Sequence, residues 1–394
     1  MYKGKLRYIE RLAPKFSSVK FGKTIDGSSP PGVFIGRKNY PKVFAGPLVT
    51  GQKGDTSQLD TPENWLGTGM NAVDIAAFRM QLARGMQQVE IQDLENKIVA
   101  QMRDIALASK SIDANAEFEK EPKGYSFNEH HQPFGPSALL KSIEISAVRY
   151  QHDMEKAYFD TDLAAGEALT GLYEKGLLVS QLQKALSVGA FGLGKRRKMV
   201  PTRWSITAVD DTLGNALLEG VKNYEPIGEY RLYTVHRLNN KFCILLTPTT
   251  WKYESMEAFF PQIIGDRLEI YSDYEYYDGR SDYAQIGGCY YSAKLAVLEQ
   301  LEKEKKQAGC IILRECYSNY VPLGVWNVRE NVRLAMQSRP EQFESMKDVL
   351  RSAENKLVIP ISRWIEKGHV LRESMTQTRI SDFSSKKIAN PSVS

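Results

Sequence analysis

The chain has 394 residues, with 52 Lys+Arg against 47 Asp+Glu, a formal net charge of +5. Hydrophobic residues make up 42% and charged residues 25%, which excludes a wholly disordered protein and favours two domains over one. No apolar run nears the roughly 18 residues that span a bilayer, so no membrane partner is expected and a cytoplasmic chain is.

In chain order, residues 28–49 read as loop and short strands, with turn chemistry at Ser28-Ser29-Pro30-Pro31-Gly32. From Asp74 to Lys110 the apolar spacing turns helical, through Ile75, Phe78, Leu82 and Met86, then Leu94, Ile98, Met102 and Ile105. Loop chemistry fills 120–136, and a second helical zone covers 162–188. The stretch Trp204-Ser205-Ile206-Thr207-Ala208-Val209 is strand-like. Tyr230–Leu238 and Lys241–Thr247 flank Asn239-Asn240, a two-residue hairpin turn. Residues 266–288, acidic and rich in Tyr, suit an inter-domain connection with a packed aromatic cluster. Then come a helix near 289–307, a buried strand at Cys310–Arg314, and helices near 325–338, 340–354 and 361–367. Helices and strands come in blocks, which predicts an α+β fold. The expected division is a larger domain at 1–265 with a hairpin-containing sheet, a smaller, mostly helical domain at 266–368, and a disordered tail at 369–394.

Metal signatures are weak. Cys243, Cys289, Cys310 and Cys316 form no Cys-x-x-Cys pair and have no His at finger spacing. Buried thiols are expected, and no zinc. His130-His131 sit in a Pro- and Gly-rich loop, where adjacent side chains diverge.

The tail carries Gln377-Thr378-Arg379-Ile380-Ser381-Asp382-Phe383-Ser384. One 3₁₀ turn stacks Ile380 and Phe383 as an apolar plug, with Gln377 offering polar atoms at its start. This resembles the PIP box, the peptide by which replication and repair proteins attach to the sliding clamp PCNA. Ser384 stands where many such boxes carry a second aromatic, which lowers the apolar area available.

Between Glu174 and Asp210 there is no acidic residue, while seven basic ones fall in the same 35 positions. At the centre lie Gly189, Gly192 and Gly194, then Lys195, Arg196, Arg197 and Lys198, with Arg203 and Trp204 beyond. Glycines let a backbone approach phosphates, the cations supply charge, and Trp204 can stack on a base. Gly189–Lys195 also fits the opening of a Walker A loop, but Arg196 replaces the Ser/Thr that binds Mg²⁺. Asp210 and Asp211 follow, where carboxylates beside phosphate would hold Mg²⁺ or Mn²⁺ in a nuclease. Adjacent Asp on a strand diverge, so pairing with the basic run is the competing role. Arg329 and Arg333 share a helix face and suit carboxylate partners or phosphate.

The stretches Ser29–Arg37, Tyr40–Val43, Gly194–Asp211 and Pro322–Trp326 resemble the archaeal Nre DNA repair family along nearly the whole chain. That resemblance implies an N-terminal domain, a smaller C-terminal domain, a PCNA-binding tail and a role in tolerating DNA damage. Family members of one type open with a Cys-rich zinc cluster, and this chain has no cysteine before Cys243. The combined expectation is a DNA-binding repair factor tethered to the clamp, with cleavage through Asp210 and Asp211 left open. A nucleotide-binding enzyme or sensor, and a non-catalytic clamp adaptor, stand as alternatives.

Overall fold

The computed structural model describes residues 19–376, apart from 128, 129 and 262. Gln377, Ile380 and Phe383 therefore lie outside the described residues. Within them are two six-stranded mixed sheets and eleven α-helices, an α+β protein as the blocks of pattern predicted.

The first sheet has the order β1 (Thr24–Ser29), β5 (Ile112–Phe118), β6 (Ser137–Ile145), β4 (Ala83–Glu90), β3 (Lys42–Val49) and β2 (Val33–Ile35). It curls until β1 meets the end of β3, where Ser28 and Thr50 exchange backbone hydrogen bonds of 3.1 and 2.9 Å. Helices α1 (Ala72–Met80) and α2 (Lys97–Leu107) flank β4. The single helical zone expected at 74–110 is thus split by a strand. Asn71 caps α1 by accepting from the amides of Val73 and Asp74, which fixes where that helix begins. Helices α3 (His152–Phe159), α4 (Ala165–Glu174) and α5 (Val179–Ser187) follow. Val99, Met102, Ile105, Leu169, Leu172 and Leu182 bury against this sheet.

Trp204–Val209, expected as a strand, belongs instead to α6 (Thr202–Val221), a 20-residue helix starting just after Pro201. Its β-branched residues read as strand, yet packing decides otherwise. Val209 and Leu213 enter the first core, while Ile206, Leu218 and Val221 enter the second.

The second sheet has the order β10 (Glu269–Glu275), β9 (Lys252–Phe259), β11 (Gly309–Cys316), β8 (Asn240–Thr247), β7 (Tyr230–Arg237) and β12 (Glu341–Phe343). Helices α7 (Gly288–Glu304) and α8 (Trp326–Met336) cover one face, onto Phe242, Ile244, Leu246 and Ile312. The opposite face, Cys243, Leu245, Ile311 and Leu313, is covered by α9 (Met346–Glu354), α10 (Ile361–Lys367) and α11 (Val370–Thr376). Alternate residues of β8 and β11 thus bury on opposite faces, which is why the central runs Phe242–Leu246 and Cys310–Leu313 are continuously apolar. Residues 266–288, expected as a connection, include the edge strand β10. The hairpin turn falls one residue earlier than expected, at Leu238 and Asn239, both with positive φ. Asn240 is drawn into the strand because its buried side chain accepts from Arg314. Helix α11 carries the described chain past His369, with Val370 and Leu371 fully buried.

Candidate nucleic-acid interface

The basic segment is an excursion between α5 and α6. Val200 N–H donates to the Ser187 carbonyl at 2.9 Å, and Ser187 Oγ donates to the Val200 carbonyl at 2.7 Å, so its two ends are tied together. Gly189 turns the chain at a φ of +73°, and a Cβ there would stand 2.8 Å from the Lys198 carbonyl. Only glycine closes that turn.

Within the excursion the four consecutive cations do different things. Arg197 points inward and donates to the carbonyls of Gly192, Tyr158 and Asp160 at 2.5–2.6 Å. It holds the loop onto the end of α3. Lys195, Arg196 and Lys198 are exposed, and among the described residues no carboxylate pairs with them. Arg203 is half-buried and lies among the cations that disfavour protonation of His131. Burial chiefly, with Arg84, Arg79 and Arg203 assisting, holds that imidazole down at about 4.

Beside the loop sits the turn between β2 and β3. The amide of Ile35 donates to Thr202 Oγ1 at 2.9 Å, Met199 to the Ile91 carbonyl at 2.8 Å, and Ile91 to the Pro41 carbonyl at 3.2 Å. These bonds bring Tyr40 against Trp204, ring centroids 5.0 Å apart, with both rings exposed. Arg37 and Lys38 are exposed on the same turn, again without a carboxylate partner among the described residues. The loop and the turn together therefore carry five exposed cations, Arg37, Lys38, Lys195, Arg196 and Lys198, and adjoin an exposed aromatic pair. Sequence reasoning found the loop but missed Arg37, Lys38 and Tyr40, whose only signal was two adjacent cations beside an aromatic in a turn.

Asp210 and Asp211 stand on α6, not at a strand end, and they face different surroundings. Asp210 is fully buried, 2.8 Å from Arg329, and accepts from Gln183 at 3.1 Å. Burial raises its carboxyl to about 6 despite the arginine. Arg329 also reaches Glu330 at 3.2 Å and Glu63 at 3.9 Å, while Arg333 bridges Glu330 and Glu299. The network ties α5, α6, α7 and α8 into one buried lattice. Both arginines thus take carboxylate partners, and neither is an open phosphate site. Asp211 turns outward and accepts from Asn215 at 3.0 Å. Among the described residues no three His, Cys, Asp or Glu side chains gather as a set that would hold a metal ion, and no helix is long and apolar enough to cross a membrane.

The archaeal Nre N-terminal family model matches residues 6–264, and the archaeal Nre C-terminal model matches residues 275–383. DNA repair protein NreB of Archaeoglobus fulgidus is 39% identical over 386 residues, covering 95% of this chain and 97% of that relative. DNA repair protein NreA of the same organism is 35% identical over 367 residues, 90% of this chain and 92% of that protein. NreA of Haloferax volcanii is 29% identical over 395 residues, 96% and 94% of the two chains. No solved structure matches. With both halves matched and full-length relatives carrying that description, the chain belongs to the archaeal Nre family of DNA repair proteins.

Proposed function

We propose that this repair protein holds DNA phosphates on the face built from the 188–201 excursion and the β2–β3 turn, and attaches to PCNA through its tail. The observation that carries the first half is the set Arg37, Lys38, Lys195, Arg196 and Lys198, exposed on the loop and turn that adjoin Tyr40 and Trp204. Exposed cations without carboxylate partners release counterions when phosphate binds, and the aromatic pair offers a stacking surface. No cleavage step is assigned to Asp210, whose contacted oxygen is held by Arg329 and Gln183 inside the protein. The reading is thus a DNA-holding, clamp-tethered factor.

The test replaces Lys195, Arg196 and Lys198 together by Ala, leaving the structural Arg197 intact. The slope of log affinity for DNA against log salt should flatten by about two to three, at roughly 0.7–0.9 per lost contact. An unchanged slope would remove the loop from the interface.

The clamp half rests on Gln377, Ile380 and Phe383 and on the C-terminal family match, which extends to residue 383. A Phe383→Ala chain should be lost from a PCNA pull-down at wash conditions that retain the parent. Equal capture of both would exclude the tail as the attachment point.

A further inference from the structure

Helix α6 leads from the basic face to a second feature. Trp204, Ala208, Asp211 and Asn215 recur at four, three and four residues, one stripe along the helix. Seven residues separate Trp204 from Asp211, close to two turns and about 10 Å of rise. That is about three stacked nucleotide steps at 3.4 Å each.

At Asp211 the stripe forms a wall of a cleft of about 530 Å³, bounded opposite by residues 275–283 and by Tyr291 and Lys294 of α7. This volume lies in the range of small-molecule sites. Its floor is an ordered polar relay. Lys294, nearly buried, donates to Glu275 at 2.7 Å and to Asn215 Oδ1 at 3.1 Å. Asn215 in turn donates to Asp211. Glu275 is held from behind by Trp251 Nε1 at 2.9 Å and Tyr290 Oη at 3.0 Å. Its wall carries Tyr283, 57% exposed, whose ring centroid lies 5.4 Å from that of Tyr291.

The chemistry of this cleft suits a flat, neutral, hydrogen-bonding group. Carboxylates outnumber cations on its lining by five to three, and Arg280 and Lys294 are already paired with Asp273 and Glu275, so the cleft disfavours a phosphate. Asp211, Asp278 and Asp282 accept from amino and imino N–H groups. The Tyr283 ring offers a stacking face, and Lys294 carries three N–H donors, of which two are engaged. A phosphate-binding face thus lies about 10 Å along one helix from a phosphate-repelling, base-compatible cleft. We infer that the cleft between α6 and Tyr283 receives a nucleobase, stacked on Tyr283 and read by Asp211, while the backbone stays on the basic face. The base comes either from the bound strand or from a free nucleoside. The strand-borne form rests on the phosphate-binding face proposed above.

The experiment compares a single-stranded oligothymidylate with an abasic oligonucleotide of equal length, for the full chain and its Tyr283→Ala and Asp211→Asn variants. The abasic strand keeps the phosphates and removes every base. The parent should prefer oligothymidylate by tenfold or more, in line with base–aromatic stacking measured by alanine substitution. Tyr283→Ala, whose ring is mostly exposed and so does not threaten folding, should lose most of that preference without changing the salt slope. Asp211→Asn, which removes an acceptor, should change the ranking of oligothymidylate against oligoadenylate. A preference that survives Tyr283→Ala in full overturns the inference while leaving the phosphate face standing. Equal binding of both strands by the parent does the same. If neither strand binds with salt dependence, the phosphate reading fails by itself. A thermal shift with thymidine or adenosine, abolished in Tyr283→Ala, would then keep the cleft as a nucleoside site, and no shift would end it.

Discussion

Replacing Arg329 by Met is expected to lower the unfolding free energy at pH 8 by about 3–5 kcal/mol, as when one partner of a buried ion pair is removed. Both Arg329 and Asp210 are fully shielded from solvent, so water cannot screen the carboxylate left behind. The deficit should depend on pH, with a determinate sign. Burial raises Asp210 to about 6 and Glu330 to about 7, above their unfolded values near 3.9 and 4.3. Between about pH 4 and 7 the native state therefore binds more protons than the unfolded chain. The stability contributed is full below the unfolded values and is lost as pH rises through 6 and 7. Without the arginine both carboxyls should titrate higher still, so the variant is penalised most at pH 8 and least at pH 5. Urea unfolding of parent and variant at pH 5, 6.5 and 8 measures this. A difference that stays constant across the three values would contradict the assignment.

Gly27→Ala should cost about 3 kcal/mol or more, through overpacking and the loss of two backbone hydrogen bonds. A Cβ at Gly27 would lie 2.1 Å from the Thr50 carbonyl oxygen and 2.9 Å from two Gly51 backbone atoms. None of these can rotate away as a side chain would. Strand β1 must then draw back from β3, breaking the Ser28–Thr50 pair that closes the first sheet. Gly51→Ala is the matched control, since a Cβ there meets nothing within 4 Å. Denaturation midpoints should separate the two variants, and amide exchange at Ser28 and Thr50 should accelerate only in Gly27→Ala. Similar behaviour of both would show that close approach at Gly27 is not what holds the closure.

Three strands of the second sheet, β7, β8 and β11, were legible, whereas β9 was not read, β10 fell in the expected connection, and the short β12 fell inside the helix expected near 340–354. Cys310–Arg314 read as buried since both its faces are covered, and the 230–247 hairpin announced itself by two asparagines. The misreadings have physical causes. Ile112–Phe118 alternates Ala with polar residues, a pattern too weakly apolar to stand out as a strand. In α6, Thr, Ile and Val favoured a strand locally, but two cores claim adjoining sides of the segment at helical spacing and demand a helix. The basic loop was visible from its missing acids, whereas the inward turn of Arg197 was not. Three backbone carbonyls decide that orientation, and carbonyls leave no trace in residue type. Likewise Asp210 and Asp211 looked equivalent until helical geometry sent one to the interior and the other to a cleft.

The order of the second sheet bears on how the chain is made. Strand β11 lies between β9 and β8, so the strands completed first cannot zip together without it. About fifty residues separate the end of β9 from the start of β11. At 5–20 residues per second the ribosome adds them in roughly 3–10 s. Throughout that interval the emerging polypeptide holds a gap one strand wide, flanked by the unpaired margins of β8 and β9. Nascent chains stalled before Gly309 should for that reason be the form most in need of a chaperone.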